Sequence, residues 1–148
     1  MILKPTNSYL LDTTVFIDSY RRRPIGRQIL LQSLEPKYNV SYSFITFLEL
    51  GVQERRNWVE SDLFRSLRNF LMHGLKPKIL DLADHYQDAL LAANRARKRR
   101  LSLPGMGDCI IAATAYTNQL CVITRNRRHF GQFRDVPDYA IEVELYEP

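Results

Sequence analysis

Of the 148 residues only two are cysteine, six are glycine and one is tryptophan, and these scarcities narrow what the chain can be. Cys109 and Cys121 fall in segments that read as a buried helix and a buried strand, without metal-ligand spacing, so they are expected as small core residues in a reducing compartment. No apolar run is long enough to cross a bilayer, and the first residues lack the basic-then-apolar layout of a signal peptide. The expectation is a cytoplasmic protein with no membrane partner. No glycine-rich dinucleotide or nucleoside-triphosphate loop follows the first apolar run, which leaves nucleotide-cofactor binding without support. Internal repeats, low-complexity tracts and linkers are also missing.

What is present is the composition of an ordinary globular domain, 45% hydrophobic and 25% charged, and the length suits a single domain over residues 1–148. A net charge of +5 favours an anionic partner such as nucleic acid, although solubility alone accounts for it equally well until the positions of the arginines are considered. Short apolar runs at Ser8 to Leu11, Val40 to Ser43, Ile79 to Leu80, Leu120 to Ile123 and Ala140 to Leu145 read as strands. Helical periods lie between them. Val15 to Tyr20 starts a helix that Pro24 and Gly26 interrupt, with Arg21, Arg22 and Arg23 in the break, and a second helix covers Ile25 to Leu34. Phe44 to Leu50 is apolar nearly all round and reads as a buried helix, and Glu60 to Met72 is amphipathic. A long helix from about Leu82 to Arg100 ends in a basic cluster, and Asp108 to Ala115 opens a helix of small residues suited to close packing. Alternating strands and helices predict an α/β fold in three layers, a mostly parallel sheet of four to five strands with helices on both faces. In such sheets the binding crevice lies at the carboxyl ends of the strands.

Three acids interrupt apolar segments beside that edge. Asp12 follows the first strand, Glu49 lies on an apolar helix face with Ile45 and Val52, and Asp108 opens the small-residue helix. Each has a plain reading: Asp12 as an Asx-turn, Glu49 in a capping box with Thr46, Asp108 as an N-cap. Together they would crowd like charges onto one rim, and the cheapest remedy is a hard divalent cation, Mg²⁺ or Mn²⁺, held by carboxylate oxygens. Such a site hydrolyses phosphodiesters. The segment from Thr124 through Arg125, Asn126, Arg127, Arg128 and His129 enters the same crevice; Asn126 is placed to orient a metal-bound water, and Arg125 and Arg127 to hold phosphates. His129 is read as a loop histidine satisfied by backbone. Asp81, Asp84 and Asp88 share a helix face near its amino end and read as solvated.

The runs Leu11-Asp12-Thr13-Thr14-Val15, Thr46-Phe47-Leu48-Glu49-Leu50, Gly107-Asp108-Cys109-Ile110-Ile111-Ala112-Ala113 and Ile123-Thr124-Arg125-Asn126 with His129-Phe130 resemble, in order and approximate spacing, the motifs of PIN-domain ribonucleases. Within that family the chain is most similar to the VapC toxins of toxin-antitoxin pairs, from Tyr9 to about Phe133. The resemblance implies a Mg²⁺- or Mn²⁺-dependent endoribonuclease cutting single-stranded or loop RNA, with Asp12, Glu49 and Asp108 as metal ligands. It also implies that Thr13 and Thr124 match the family's hydroxyls beside the acids. A homodimer neutralised by a small cognate antitoxin is implied as well. PIN domains often carry a fourth acid after the fourth strand. Here its candidates are Asn126 and His129, which puts a second metal ion in doubt.

That departure leaves an alternative, a non-catalytic PIN-like domain that binds RNA or a partner protein. Phosphotransfer on Asp12 in the manner of haloacid-dehalogenase-like enzymes fails at Thr14, where those need a second aspartate.

Overall fold

A computed structural model describes residues 3–56, 61–69, 79–80, 105–134 and 141–148. In chain order its elements are β1 (Ser8–Leu11), α1 (Thr13–Tyr20), α2 (Pro24–Ser33), β2 (Asn39–Ser43), α3 (Phe44–Arg56), α4 (Ser61–Asn69), β3 (Ile79–Leu80), α5 (Met106–Asn118), β4 (Cys121–Thr124), α6 (Arg127–Arg134) and β5 (Val143–Leu145). The strands form one sheet in the order β3-β2-β1-β4-β5, and every pairing is parallel. The expected α/β layering is therefore realised. The expected helix from Leu82 to Arg100, its basic tail and the Asp81, Asp84 and Asp88 face lie outside the described residues.

β1 holds the centre, and its Tyr9, Leu10 and Leu11 are all buried, as a central parallel strand covered on both faces requires. Its side chains alternate. Leu10 joins Cys109, Ile111, Ala112 and Phe130 on one face, whereas Tyr9 and Leu11 join Val15, Phe16, Ile29 and Leu50 on the other. Each such side chain removed from water contributes roughly 1.5–3 kcal/mol. The alanines and cysteine of α5 allow it to lie close against the sheet, as its composition predicts.

Two expectations fail for physical reasons. Pro24 does not interrupt a helix but begins one, at the first position of α2, where proline's missing N–H costs nothing. Gly26 is needed for packing: a Cβ there would stand 2.7 Å from the Cβ of Asp18 in α1. α3 is not buried all round either. Phe44, Leu48 and Val52 repeat every four residues along an exposed stripe, while Thr46 and Leu50 point inward.

Candidate functional site

The ladder between β1 and β4 runs one residue past β1, with the Asp12 amide donating to the Ile123 carbonyl at 3.0 Å. This delivers Asp12 to the carboxyl edge of the two central strands. Asp12 is also the residue preceding α1, but its side chain makes no capping bond. Its Oδ2 instead accepts the hydroxyls of Thr14 at 2.8 Å and Thr124 at 2.7 Å, and the residue is only 3% exposed. The Asx-turn reading is therefore set aside.

Glu49 comes from α3, two turns past β2. Because α3 already starts at Phe44, Thr46 is inside the helix and cannot cap it with Glu49. The carboxylate reaches toward α1, where Thr13 Oγ1 donates to Oε2 at 2.6 Å; Thr46 Oγ1 lies 3.1 Å from the same hydroxyl. Its other oxygen, Oε1, lies against Gly107, where a Cβ would occupy the same space. Glycine thus admits the carboxylate to the first turn of α5, whose free amides favour negative charge. Asp108, the third residue of α5, is not its N-cap, since Gly105 holds that place.

Asp12, Glu49, Asp108 and Asn126 line one open cavity of about 310 Å³ with Thr13, Thr14, Ile17, Ile45, Leu48 and Val52. No arginine or lysine is among the described residues that line it. The cost shows in the proton affinities. Burial pushes Asp12 above the ordinary carboxylate range against the pull of its two threonines, and the charge of Asp108 adds to the rise. Glu49 is pushed up to about 7 by burial, opposed by Thr13 and reinforced by Asp12 and Asp108.

The segment after β4 departs from expectation. Asn126 Oδ1 accepts the His129 amide at 3.3 Å and its carbonyl accepts that of Phe130 at 3.1 Å, so Asn126 caps α6. His129 is consequently helical rather than a loop residue held by backbone. Its Nδ1 lies 2.5 Å from Asp108 Oδ2 and 3.2 Å from Asn126 Nδ2. The N-cap spacing from Asn126 to His129 is the signal that could have placed His129 in a helix. Arg125 and Arg127 do not line the carboxylate cavity. Arg125 Nε lies 2.8 Å from Asp18 Oδ2, and Arg127 is exposed with Glu147 at 3.8 Å. Asp18, wholly buried, is a charged residue the sequence reading passed over.

The donor chemistry suits a hard cation: three carboxylates line one cavity, two of them raised in proton affinity by burial first and by the neighbouring acids second. Among the described residues no group of three or more acid, histidine or cysteine side chains is close enough together to hold a metal ion between them as they stand. An open rim of oxygens fits an ion that keeps much of its water, the habit of Mg²⁺, better than it fits zinc.

A family model described as PIN domain matches residues 9–138. Several solved structures share the fold. VapBC2 from Rickettsia felis, bound to a DNA fragment from its promoter, aligns at 18% identity over 94% of this chain and 98% of that one, with a TM-score of 0.69. VapBC-5 from Mycobacterium tuberculosis, described as a member of the VapBC family of toxin-antitoxin systems, aligns at 19% identity over 95% and 98%, with a TM-score of 0.62. FitAcB from Neisseria gonorrhoeae is 26% identical over 90% and 96%, with a TM-score of 0.64. No curated protein matches the sequence significantly. The matched span takes in Asp12, Glu49, Asp108 and Asn126 together with the sheet that gathers them, and the chain belongs to the PIN-domain family.

Proposed function

We propose that this chain is a VapC-type toxin, a metal-dependent endoribonuclease held in check by a cognate antitoxin. The observation that carries this is the convergence of Asp12, Glu49 and Asp108 from three separate elements on one cavity without a basic side chain among its described lining. The nature of the similar assemblies, toxin-antitoxin complexes of the same fold, supports the toxin assignment and the antitoxin partner. A homodimer in the cytoplasm is part of the same reading.

Asp12, Glu49 and Asp108 are the residues that would hold Mg²⁺ or Mn²⁺. Bound there, the ion supplies a hydroxide near neutral pH and offsets charge on the attacked phosphate. The protein's own groups set the stage. Thr14 and Thr124 fix one oxygen of Asp12 by hydrogen bonds, leaving the carboxylate a single orientation. Thr13 does the same for Glu49, and His129 for Asp108. Asn126 lines the cavity, but its amide oxygen is committed to capping α6, so its part is to hold the β4–α6 corner beside the carboxylates.

The test is cleavage of a defined RNA by purified protein with Mn²⁺ or Mg²⁺ and with chelator. Asp12→Asn and Asp108→Asn are expected to lose cleavage while melting at or above the wild-type temperature, because each removes a like charge from a crowded rim. Wild-type rates from those variants overturn the assignment. A domain that binds RNA in chelator and never cuts it with metal is the non-catalytic alternative.

A further inference from the structure

Asp18 has no role in the site so far described, yet it is the most completely enclosed charge among the described residues. It lies on the inner face of α1, where Gly26 lets α2 close over it. Three groups reach its carboxylate, one from five residues on and two from more than a hundred residues away. Arg23 Nη1 stands 3.2 Å from Oδ1, Arg125 Nε stands 2.8 Å from Oδ2, and the Tyr146 hydroxyl donates to Oδ2 at 2.9 Å. One aspartate shared by two arginines leaves a local charge of +1. Asp18 Oδ1 and Arg125 Nε are buried without an aligned hydrogen bond, so the contacts are ion pairs bent away from ideal geometry. Both arginines stay about one-third exposed, at 37% for Arg23 and 33% for Arg125.

Arg125 emerges at a particular place. It lines a cavity of about 300 Å³ with Thr14 and Asn126, both of which also line the carboxylate cavity. It also lines another, of about 180 Å³, with Arg127, Tyr146 and Glu147. Thr14 and Asn126 are common to the carboxylate cavity and the larger of these two, and Arg125 to both of the two, so Arg125 stands in a groove next to the carboxylate cavity. The backbone is coupled in the same direction: the Arg125 amide donates to Thr14 Oγ1 at 3.3 Å, and that hydroxyl donates to Asp12.

We propose that Asp18 is a positioning residue that holds the Arg125 guanidinium in this groove, where Arg125 binds a backbone phosphate of the RNA strand beside the one that is cut. The inference rests on the ribonuclease reading for its substrate. Arg125 faces Asp18 through Nε while a third of its side chain stays exposed, and a guanidinium anchored by an ion pair loses less freedom when it meets a phosphate. Arg23 keeps Asp18 from cancelling the charge of Arg125.

The sign of one substitution separates positioning from simple field effects. Asp18→Asn deletes a negative charge near the groove, so electrostatics alone tightens RNA binding, whereas loss of the anchor weakens it. The measurement is fluorescence anisotropy of a short labelled single-stranded RNA on the intact protein in chelator, across a salt series, with cleavage kinetics in Mn²⁺ alongside. Asp18→Asn, Arg125→Ala and Arg125→Lys are each expected to weaken binding about tenfold, raising KM with kcat little changed. Arg125→Ala should also lower the slope of log affinity against log salt by about 0.7, the share of one single-strand phosphate. An Asp18→Asn protein that melts normally and binds RNA as tightly as wild type, or more tightly, overturns the proposal. If that variant does not fold, Arg125→Lys decides, because it keeps the charge and loses the fork; wild-type affinity there overturns the proposal and tenfold loss supports it. Wild-type protein that binds RNA with this pattern and never cleaves it refutes the ribonuclease reading while the Asp18 assignment stands. No RNA binding at all refutes both.

Discussion

Titrating Glu49 offers a test of the crowded rim that needs no substrate. Its carboxyl is pushed from an ordinary value of 4.5 up to about 7, first by burial and then by Asp12 and Asp108. A raised folded-state pKa means that the native protein binds the proton more tightly than the unfolded chain does. The stabilisation is therefore complete below about pH 4.5 and is lost as pH rises toward 7. At about 1.4 kcal/mol for each factor of ten in proton affinity, the loss across that window is about 3 kcal/mol, an upper figure because Glu49 is not fully enclosed. Asp12, raised in the same direction, adds to the loss. Urea unfolding of chelator-treated protein between pH 5 and 8 should show stability falling with pH, and Glu49→Gln should remove most of that fall. Added Mg²⁺ or Mn²⁺ should restore stability at pH 8 and do little at pH 5, where protons compete for the same oxygens. Stability that rises across the interval, or a Glu49→Gln protein with the wild-type slope, refutes the account.

Two glycines separate the site's needs from those of the fold. Gly107→Ala sets a methyl where Glu49 Oε1 lies; the end of a flexible side chain can move aside, so cleavage should fall at least tenfold, the scale of a misplaced catalytic group, with little change in melting temperature. Gly26→Ala meets the buried Asp18 Cβ at 2.7 Å and the Ser19 amide nitrogen at 3.1 Å, neither of which can yield. Overpacking there should cost about 1–3 kcal/mol in urea unfolding, and wild-type stability would show that α1 and α2 are less closely held than described.

The strands were legible because a parallel sheet covered on both faces demands short unbroken apolar runs, and Tyr9-Leu10-Leu11 and Cys121-Val122-Ile123 are such runs. The three acids were legible by contrast with those runs. Asp18 was not, because in sequence it is one acid in an amphipathic helix, and its partners Arg125 and Tyr146 lie more than a hundred residues away. The pairing of His129 with Asp108 was hidden as well, because it joins two separate helices and forms only once both are packed. α3 misled the eye in another way. Its apolar residues outnumber the neighbours available to cover them, and periodicity cannot say which face goes uncovered.

The sheet order has a consequence for the birth of the molecule. β1 is synthesised first, yet it lies between β2 and β4, and the hydroxyl that steadies Asp12 arrives with Thr124, 112 residues later. Contacts so distant along the chain form late and slowly, since a long loop must close before they return any energy. A nascent chain leaving the ribosome through residue 100 carries Asp12 and Glu49 but neither Asp108 nor β4, and so lacks one of the three carboxylates and the strand that steadies another. By its topology the protein can acquire the complete site only after Asn126 has been made, which reserves a period of synthesis in which the growing chain cannot use it.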